Sequence, residues 1–382
     1  MHDFIFHNPT KIIFGPGRDV EIGRELQSAG IGSVLLVYGC GSVRHSGLLD
    51  RIIKSLNEGG IGFVEHGGVI SNPILSHTRA GIDRARKSGV EAVLAVGGGS
   101  VMDEAKAIAI GAAADCDVWE FFLRRREVPA ALPVFTIPTL AASGSEMNGN
   151  AVITNEESQQ KYNIATIHAF PRVSILNPEL THSVTPEYSA YGAVDAISHL
   201  IEAYFTKQPG TRLQDRLVEG LILTIMENAA IIRDEPDNAQ ARSSMMWAST
   251  LALNGLTPAG VGPYTFPNHM IEHSLSALYN IPHGAGLAIV MPAWMRWYQP
   301  RNPEQFQRFA REIFGLSSGE EGIAALKNWF KALGCPVSLG EIHISADDIP
   351  HIRDNVFDTA RVWQVDQLYP PEALTEILQQ AV

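Results

Sequence analysis

The chain has 382 residues, with 41 acidic against 29 basic side chains and a formal net charge of −12. At roughly 150 residues per domain this length suggests two domains. Apolar residues make up 45% and charged ones 18%, a balance that excludes disorder. The acidic surplus argues against a nucleic-acid or anionic-membrane partner, which would need a basic surface.

From the N-terminus, MHDFIFHNPT has neither the basic start nor the long apolar core of a secretory signal. Ser33–Tyr38 (SVLLVY) is an apolar run followed by a helix candidate over Gly47–Asn57. Glu91–Val96 (EAVLAV) runs into Gly97, Gly98 and Gly99, then into a helix over Val101–Ala114. Leu132–Ile137 (LPVFTI) ends at Pro138. Continuous apolar runs alternating with helices indicate βαβ units and a parallel sheet buried on both faces. Beyond Leu176-Asn177-Pro178 helical spacing takes over. It marks Glu187–Phe205, Arg212–Ile232, Ala239–Asn254, Phe266–Tyr279, Glu304–Phe314, Glu320–Leu333 and Pro371–Gln380; the one strand candidate there is Gly286–Val290. The expected domains are therefore 1–178 (α/β) and 179–382 (helical). The two long uncharged stretches, Val128–Ser145 and Trp247–Asn268, are broken by prolines and glycines and cannot run as membrane helices. Three cysteines (Cys40, Cys116, Cys335) make no disulfide framework and no CxxC pattern, which suits a reducing, cytoplasmic setting.

Four features could carry chemistry. Gly97-Gly98-Gly99-Ser100 joins a strand to a helix, with Asp103 in the first turn, and such a turn lets backbone N–H groups approach a diphosphate. It is equally a plain strand-to-helix turn capped by Ser100, and the GxGxxG spacing is absent. A second turn, Gly39-Cys40-Gly41-Ser42-Val43-Arg44, follows the Val34–Tyr38 run. An acidic residue there would hold an adenosine ribose. Glycine, serine and arginine stand there instead, leaving room for a 2′-phosphate beside Ser42 and Arg44; the alternative is a solvated surface turn. Asp195 and His199, four apart, share one helix face, where the bland alternative is an Asp–His hydrogen bond in the core. His269, Glu272, His273 and His283 follow within 15 residues. One carboxylate and two or three imidazoles could close around Fe²⁺ or Zn²⁺, and spacing alone does not choose between His269 and His273. His269-Met270-Ile271-Glu272-His273 also spells HxxEH, a zinc-peptidase pattern, but that reading leaves Asp195, His199, His283 and both glycine turns without a role.

These segments resemble the iron-containing (group III) alcohol dehydrogenases, in particular their butanol dehydrogenase-like, NADPH-dependent aldehyde-reducing branch. The likeness runs through NPTKIIFGPG (8–17), YGCGSVRHSG (38–47), AVGGGSVMDEAKAIA (95–109), IPTLAASGSEMNGNAVIT (137–154), the DAISH helix and HMIEHSLSALYNIPHG (269–284). The resemblance implies a Rossmann-like N-terminal domain, an all-α C-terminal domain in a dehydroquinate synthase-like architecture, and a metal in the cleft between them. By position it implies Asp195, His199, His269 and His283 as metal ligands and His273 as a non-ligand histidine near nicotinamide and substrate. It places Gly98, Gly99, Ser100 and Asp103 at the diphosphate and nicotinamide ribose. Thr139, Leu140, Ser143 and Lys161 fall elsewhere along the cofactor, and Gly39, Gly41 and Ser42 at its adenosine end. NADP is expected over NAD, and Fe²⁺ with Zn²⁺ as the alternative. The expected reaction is hydride transfer between NADP(H) and a primary alcohol or aldehyde such as butanol or butanal. The alternatives within the superfamily are a polyol or an oxo acid, as in glycerol dehydrogenases and maleylacetate reductases. Candidate pocket residues are Met147, Asn150, Trp247, Tyr264 and Phe266. A homodimer is expected, with Phe4, Ile5 and Phe6 available for pairing.

Overall fold

The computed structural model describes residues 1–207 and 209–382. Two compact units divide the chain, one formed by His7–Val184 and the other by Met1–Phe6 with Thr185–Val382. The first six residues thus pack with the C-terminal unit: the His2 N–H donates to the Gly260 carbonyl at 2.9 Å.

Eight strands lie in the first unit: β1 (Lys11–Phe14), β2 (Ser33–Gly39), β3 (Gly62–Val69), β4 (Ala92–Gly97), β5 (Val134–Pro138), β6 (Asn150–Asn155), β7 (Gln160–Ala165) and β8 (Val173–Leu176). Its helices are α1 (Ile22–Ser28), α2 (Ser42–His45), α3 (Leu48–Glu58), α4 (Leu75–Ser88), α5 (Gly99–Ala113) and α6 (Trp119–Phe122). Six strands form one parallel sheet in the order β1-β8-β5-β4-β2-β3, while β6 and β7 pair as a separate antiparallel hairpin. The central strands are covered on both faces, and so Val34, Leu35, Leu36 and Val37 on β2 are all fully buried.

Chain order fixes where such a sheet binds ligands. From β2 the chain crosses to β3 on one side, and from β4 it crosses to β5 on the other. The switch point lies between the adjacent strands β2 and β4, and the crevice outside their carboxyl ends is the ligand position of open α/β sheets.

The second unit is helical: α7 (Pro186–Thr206), α8 (Arg212–Asp234), α9 (Ala239–Ala252), α10 (Pro267–Tyr279), α11 (His283–Tyr298), α12 (Pro303–Phe314), α13 (Gly319–Ala332), α14 (Ile349–Val362) and α15 (Pro371–Gln379). The strand candidate at Gly286–Val290 is overturned, because it lies inside α11. Helix α7 starts at a Thr185 cap, whose hydroxyl accepts the Tyr188 N–H at 3.2 Å, and at Pro186 in the first turn. Its far end is locked in an aromatic cluster, with Phe205 stacked on Phe306 at 3.9 Å. No helix among the described residues is long and apolar enough to cross a membrane.

Candidate functional site: an Asp–His centre and a switch-point crevice

In the C-terminal unit, helix α7 carries Asp195, His199 and Glu202 at i, i+4 and i+7, one inward face. Helix α10 brings His269, and the start of α11 brings His283. Asn280 ends α10 in a left-handed conformation (φ 50°), and Pro282 starts the next helix, so the turn is tight and His283 opens α11. Gly284 lets that turn approach α7, since a Cβ there would overlap the Tyr191 backbone.

Asp195 Oδ1 lies 3.5 Å from His199 Nε2, 3.6 Å from His269 Nε2 and 3.6 Å from His283 Nε2. These spacings are long for hydrogen bonds. They match the edges of a four-coordinate site, where bonds of about 2.0–2.2 Å set ligand atoms roughly 3.3–3.6 Å apart. Asp195 Oδ1 and His269 Nε2 are buried without a hydrogen-bond partner, a costly arrangement unless something else binds them. The donor set therefore fits a divalent ion.

Two carboxylates behind the histidines orient them. Glu202 Oε2 lies 2.5 Å from His269 Nδ1, while its Oε1 accepts the backbone N–H of Asn268 at 2.6 Å and of His269 at 3.1 Å. Glu202 thus caps α10 from a neighbouring helix and turns His269 Nε2 toward Asp195. Glu272 holds the Nδ1 side of His283 in the same way. Carboxylate–histidine pairs of this kind fix ring tautomer and orientation at metal sites. Burial pushes the His199 imidazole down to about 3 against the pull of Asp195, which leaves it neutral. Burial also opposes charge on His269, yet Glu202 and Asp195 outweigh it and raise that imidazole to about 10. Burial likewise works against the Asp195 carboxylate, but the surrounding imidazoles win and hold it well below the usual carboxylate range.

His273 is buried beside this group, its ring 5.8 Å from that of His283 and 6.3 Å from that of His269. Trp363 meets it edge-on at 5.7 Å, and Phe266 meets His269 edge-on at 5.8 Å. Tyr264 packs on Phe266 at 5.5 Å. Trp247 of the candidate pocket set is partly exposed, and Met147 and Asn150 belong to the other unit. Phe4, Ile5 and Phe6 are exposed and form no strand.

In the N-terminal unit, register puts the glycine turns side by side. Tyr38 pairs with Val96, and Gly97 pairs with Pro138, so Gly39, Gly97 and Thr139 follow one another along the carboxyl ends of β2, β4 and β5. The Thr139 N–H donates to the Gly97 carbonyl at 3.0 Å. Leu140 lies over Gly98, and Ser143 lies so close over Gly99 that a Cβ there would come within 2.7 Å of the Ser143 hydroxyl. Gly98 caps α5 without a side-chain bond, leaving the first N–H groups near Ser100 available for an anion. Gly41 caps the short helix that starts at Ser42. A pocket of about 220 Å³ is lined by Ser42, Thr139, Asn177 and Ser183 among others.

Asp103 and Lys161 occupy different situations. Asp103 accepts the Ser145 hydroxyl at 2.7 Å and the Val152 N–H at 3.1 Å, while Lys161 donates to Asn72 at 2.9 Å. Beside them Lys106 is fully buried and donates to Ser145, to Asn150 O and to the Asn148 side chain and carbonyl at 2.8–3.2 Å. Burial pushes its ammonium down to about 8, opposed by Asp103 and Glu146. Both Asp103 and Lys106 pin the 139–150 loop onto α5. Arg44 is paired with Glu65 at 3.0 Å, reaches the Tyr38 hydroxyl and stacks over that ring.

Glu202 and Lys106 were not singled out in the sequence. Glu202 had a signal, as a carboxylate within the apolar second half of α7 at i+7 from Asp195. The peptidase reading of HxxEH fails structurally, because the Glu272 carboxylate is fully buried against His283 and Ser276 and cannot serve as a water-activating base.

Residues 9–178 match the family model for iron-containing alcohol dehydrogenase, and residues 189–382 match that for the C-terminal part of the Fe-containing alcohol dehydrogenase family. The chain is 38% identical over 98% of both sequences to a probable NADH-dependent butanol dehydrogenase 1 of Bacillus subtilis. It is 35% identical, over 92% of each, to the NADPH-dependent aldehyde reductase YqhD of Escherichia coli K12. The crystal structure of an NADH-dependent butanol dehydrogenase A from Thermotoga maritima superposes with a TM-score of 0.98 at 44% identity, covering 100% of this chain and 99% of that one. The chain therefore belongs to the iron-containing alcohol dehydrogenase family. It is an NAD(P)-dependent oxidoreductase acting on alcohols or aldehydes.

Proposed function

We propose that the chain interconverts a short- or medium-chain primary alcohol and its aldehyde, with butanal as the test substrate, using one divalent ion held by Asp195, His199, His269 and His283. The observation that carries this reading is the convergence of three imidazole Nε2 atoms on one orphaned carboxylate oxygen at 3.5–3.6 Å. When bound, the ion supplies Lewis-acid polarisation of a carbonyl oxygen and the reduced nicotinamide supplies the hydride. Fe²⁺ is the proposed occupant and Zn²⁺ the alternative, since mixed oxygen and nitrogen ligation suits either. Phe266 and Trp363, edge-on to His269 and His273, present an apolar wall suited to an alkyl chain.

The residues divide the work. Glu202 and Glu272 hold the Nδ1 sides of His269 and His283, leaving each Nε2 directed at the ion position. The His273 imidazole, buried next to His283, is the proposed proton relay between the product oxygen and solvent. His273→Ala is expected to keep its metal and lose about 10²-fold in kcat, the lower range for general acid–base groups. Elemental analysis beside steady-state kinetics checks this, and full activity in the variant excludes the relay.

NADP(H) is the proposed cofactor. The Gly98, Gly99 and Ser100 turn with Asp103 is proposed for the diphosphate and nicotinamide ribose, with Thr139, Leu140, Ser143 and Lys161 further along the molecule. Gly39, Gly41 and Ser42 are proposed for the adenosine end, where no acidic side chain follows β2 to claim the ribose. Arg44 would exchange Glu65 for the 2′-phosphate. Arg44→Ala should lower the kcat/KM ratio of NADPH to NADH about tenfold, the loss of one charge-assisted bond; an unchanged ratio contradicts this assignment. A cytoplasmic homodimer that contacts its partner copy through Phe4, Ile5 and Phe6 completes the proposal.

A further inference from the structure

A second cluster of donor side chains lies in the N-terminal unit and has no part in the proposed reaction. His66 comes from β3, His77 from the first turn of α4, and Glu104 from the second turn of α5. Glu104 Oε1 is 2.6 Å from His77 Nδ1 and 3.1 Å from His66 Nε2, and the two rings lie 4.3 Å apart. Glu104 is completely buried and His66 is 3% exposed, while the His77 side chain keeps 27% of its surface.

An internal ion pair explains only part of this. One proton shared between His77 Nδ1 and Glu104 Oε1, 2.6 Å apart, satisfies that pair. It leaves a second buried imidazole facing the same oxygen, and it leaves Glu104 Oε2 buried with no hydrogen-bond partner. A carboxylate oxygen buried without a partner is costly. His77 is also held from behind by the Gly67 backbone, as imidazole ligands commonly are. At position 81 a glycine leaves space for Ile108 and His66 together, since a Cβ there would come within 2.3 Å of the Ile108 side chain and 2.9 Å of the His66 Nε2. Two oriented imidazoles and one carboxylate, all donor atoms within 4.8 Å of one another, form a donor set for a borderline divalent metal.

We propose that His66, His77 and Glu104 bind a second divalent transition-metal ion of the Zn²⁺ or Co²⁺ type, separate from the Asp195 centre. The ion enters from the partly exposed His77 side and displaces the proton between His77 Nδ1 and Glu104 Oε1 to solvent. It cross-links the edge strand β3 to α4 and α5, and so stabilises the folded state by mass action.

The test uses the full chain, stripped with a chelator and dialysed against Zn²⁺, with bound metal counted per chain by elemental analysis. The wild-type protein should hold two equivalents. His77→Ala and Glu104→Gln should each hold one, and His77→Ala should keep wild-type turnover of NADPH with butanal. With Co²⁺, both variants should lose one of two sets of visible d–d bands. One equivalent in the wild-type protein overturns the proposal, as does retention of both equivalents in the two variants. If Glu104→Gln does not fold, His77→Ala carries the test alone, because its side chain is partly exposed. His269→Ala keeps the arms separate: it should lose the other equivalent, and its failure to do so counts against the Asp195 centre, not against this site.

Discussion

Replacing His269 by alanine should remove metal and activity together, with kcat/KM falling roughly 10³-fold or more, the scale seen when electrostatic stabilisation of a developing oxyanion is lost. The expectation follows from the placement of Nε2. His269 is one of three imidazoles on Asp195 Oδ1, and its own Nε2 is buried without a partner. Taking the ring away leaves two imidazoles and a carboxylate, and it leaves Glu202 facing a cavity. Elemental analysis of the purified variant should show metal falling in step with turnover. A variant that keeps its ion while losing activity would move His269 from ligand to relay, exchanging its role with that of His273.

Glu202→Ala should be nearly as damaging, although Glu202 is not among the proposed metal ligands. Its carboxylate is fully buried and accepts two backbone N–H groups at the start of α10 as well as His269 Nδ1. Removing it leaves those donors unsatisfied, a destabilisation of about 2–4 kcal/mol. It also frees the His269 ring to take the wrong tautomer, which should weaken metal binding by about 10–100-fold. Glu202→Gln, which keeps an acceptor for the backbone groups, should recover most of the stability and little of the metal affinity. Thermal unfolding with and without added Fe²⁺ separates the two effects. Equal stability and equal metal affinity in Glu202→Ala would show that the helix start is satisfied in another way.

The parts of the fold that could be read in advance are those whose local pattern matches their final burial. Strands β2, β4 and β5 are unbroken apolar runs that end in glycine or proline, and they form the sheet centre. Helices α7 and α10 carry their polar side chains at helical spacing, so Asp195 with His199 and His269 with His273 could be placed on helix faces before any contact was known. Where tertiary context decides, the pattern is silent. Strand β3 (GFVEHGGV) is a sheet edge with glycines and charges, and β1 and β8 are four residues each. Helix α11 is buried on nearly every side and carries Pro292, so it has no amphipathic period and its middle reads as a strand. The polar helix α4 gives little apolar signal. The same limit applies within the site. The HxxEH spelling is local, whereas the contact that gives Glu272 its task comes from His283 in the next helix. Lys106 reads as an ordinary surface lysine until burial and four acceptors are seen around it.

The most direct test is anaerobic turnover of butanal by the chelator-stripped enzyme, followed by the loss of reduced-nicotinamide absorbance with NADPH or NADH, before and after adding back Fe²⁺ or Zn²⁺. No oxidation of cofactor is expected in the stripped protein, with recovery on adding one of the two ions, faster turnover with NADPH, and no recovery in His269→Ala. Equal rates with and without metal would contradict this expectation, because the buried Asp195 and its three imidazoles would then have no part in the reaction.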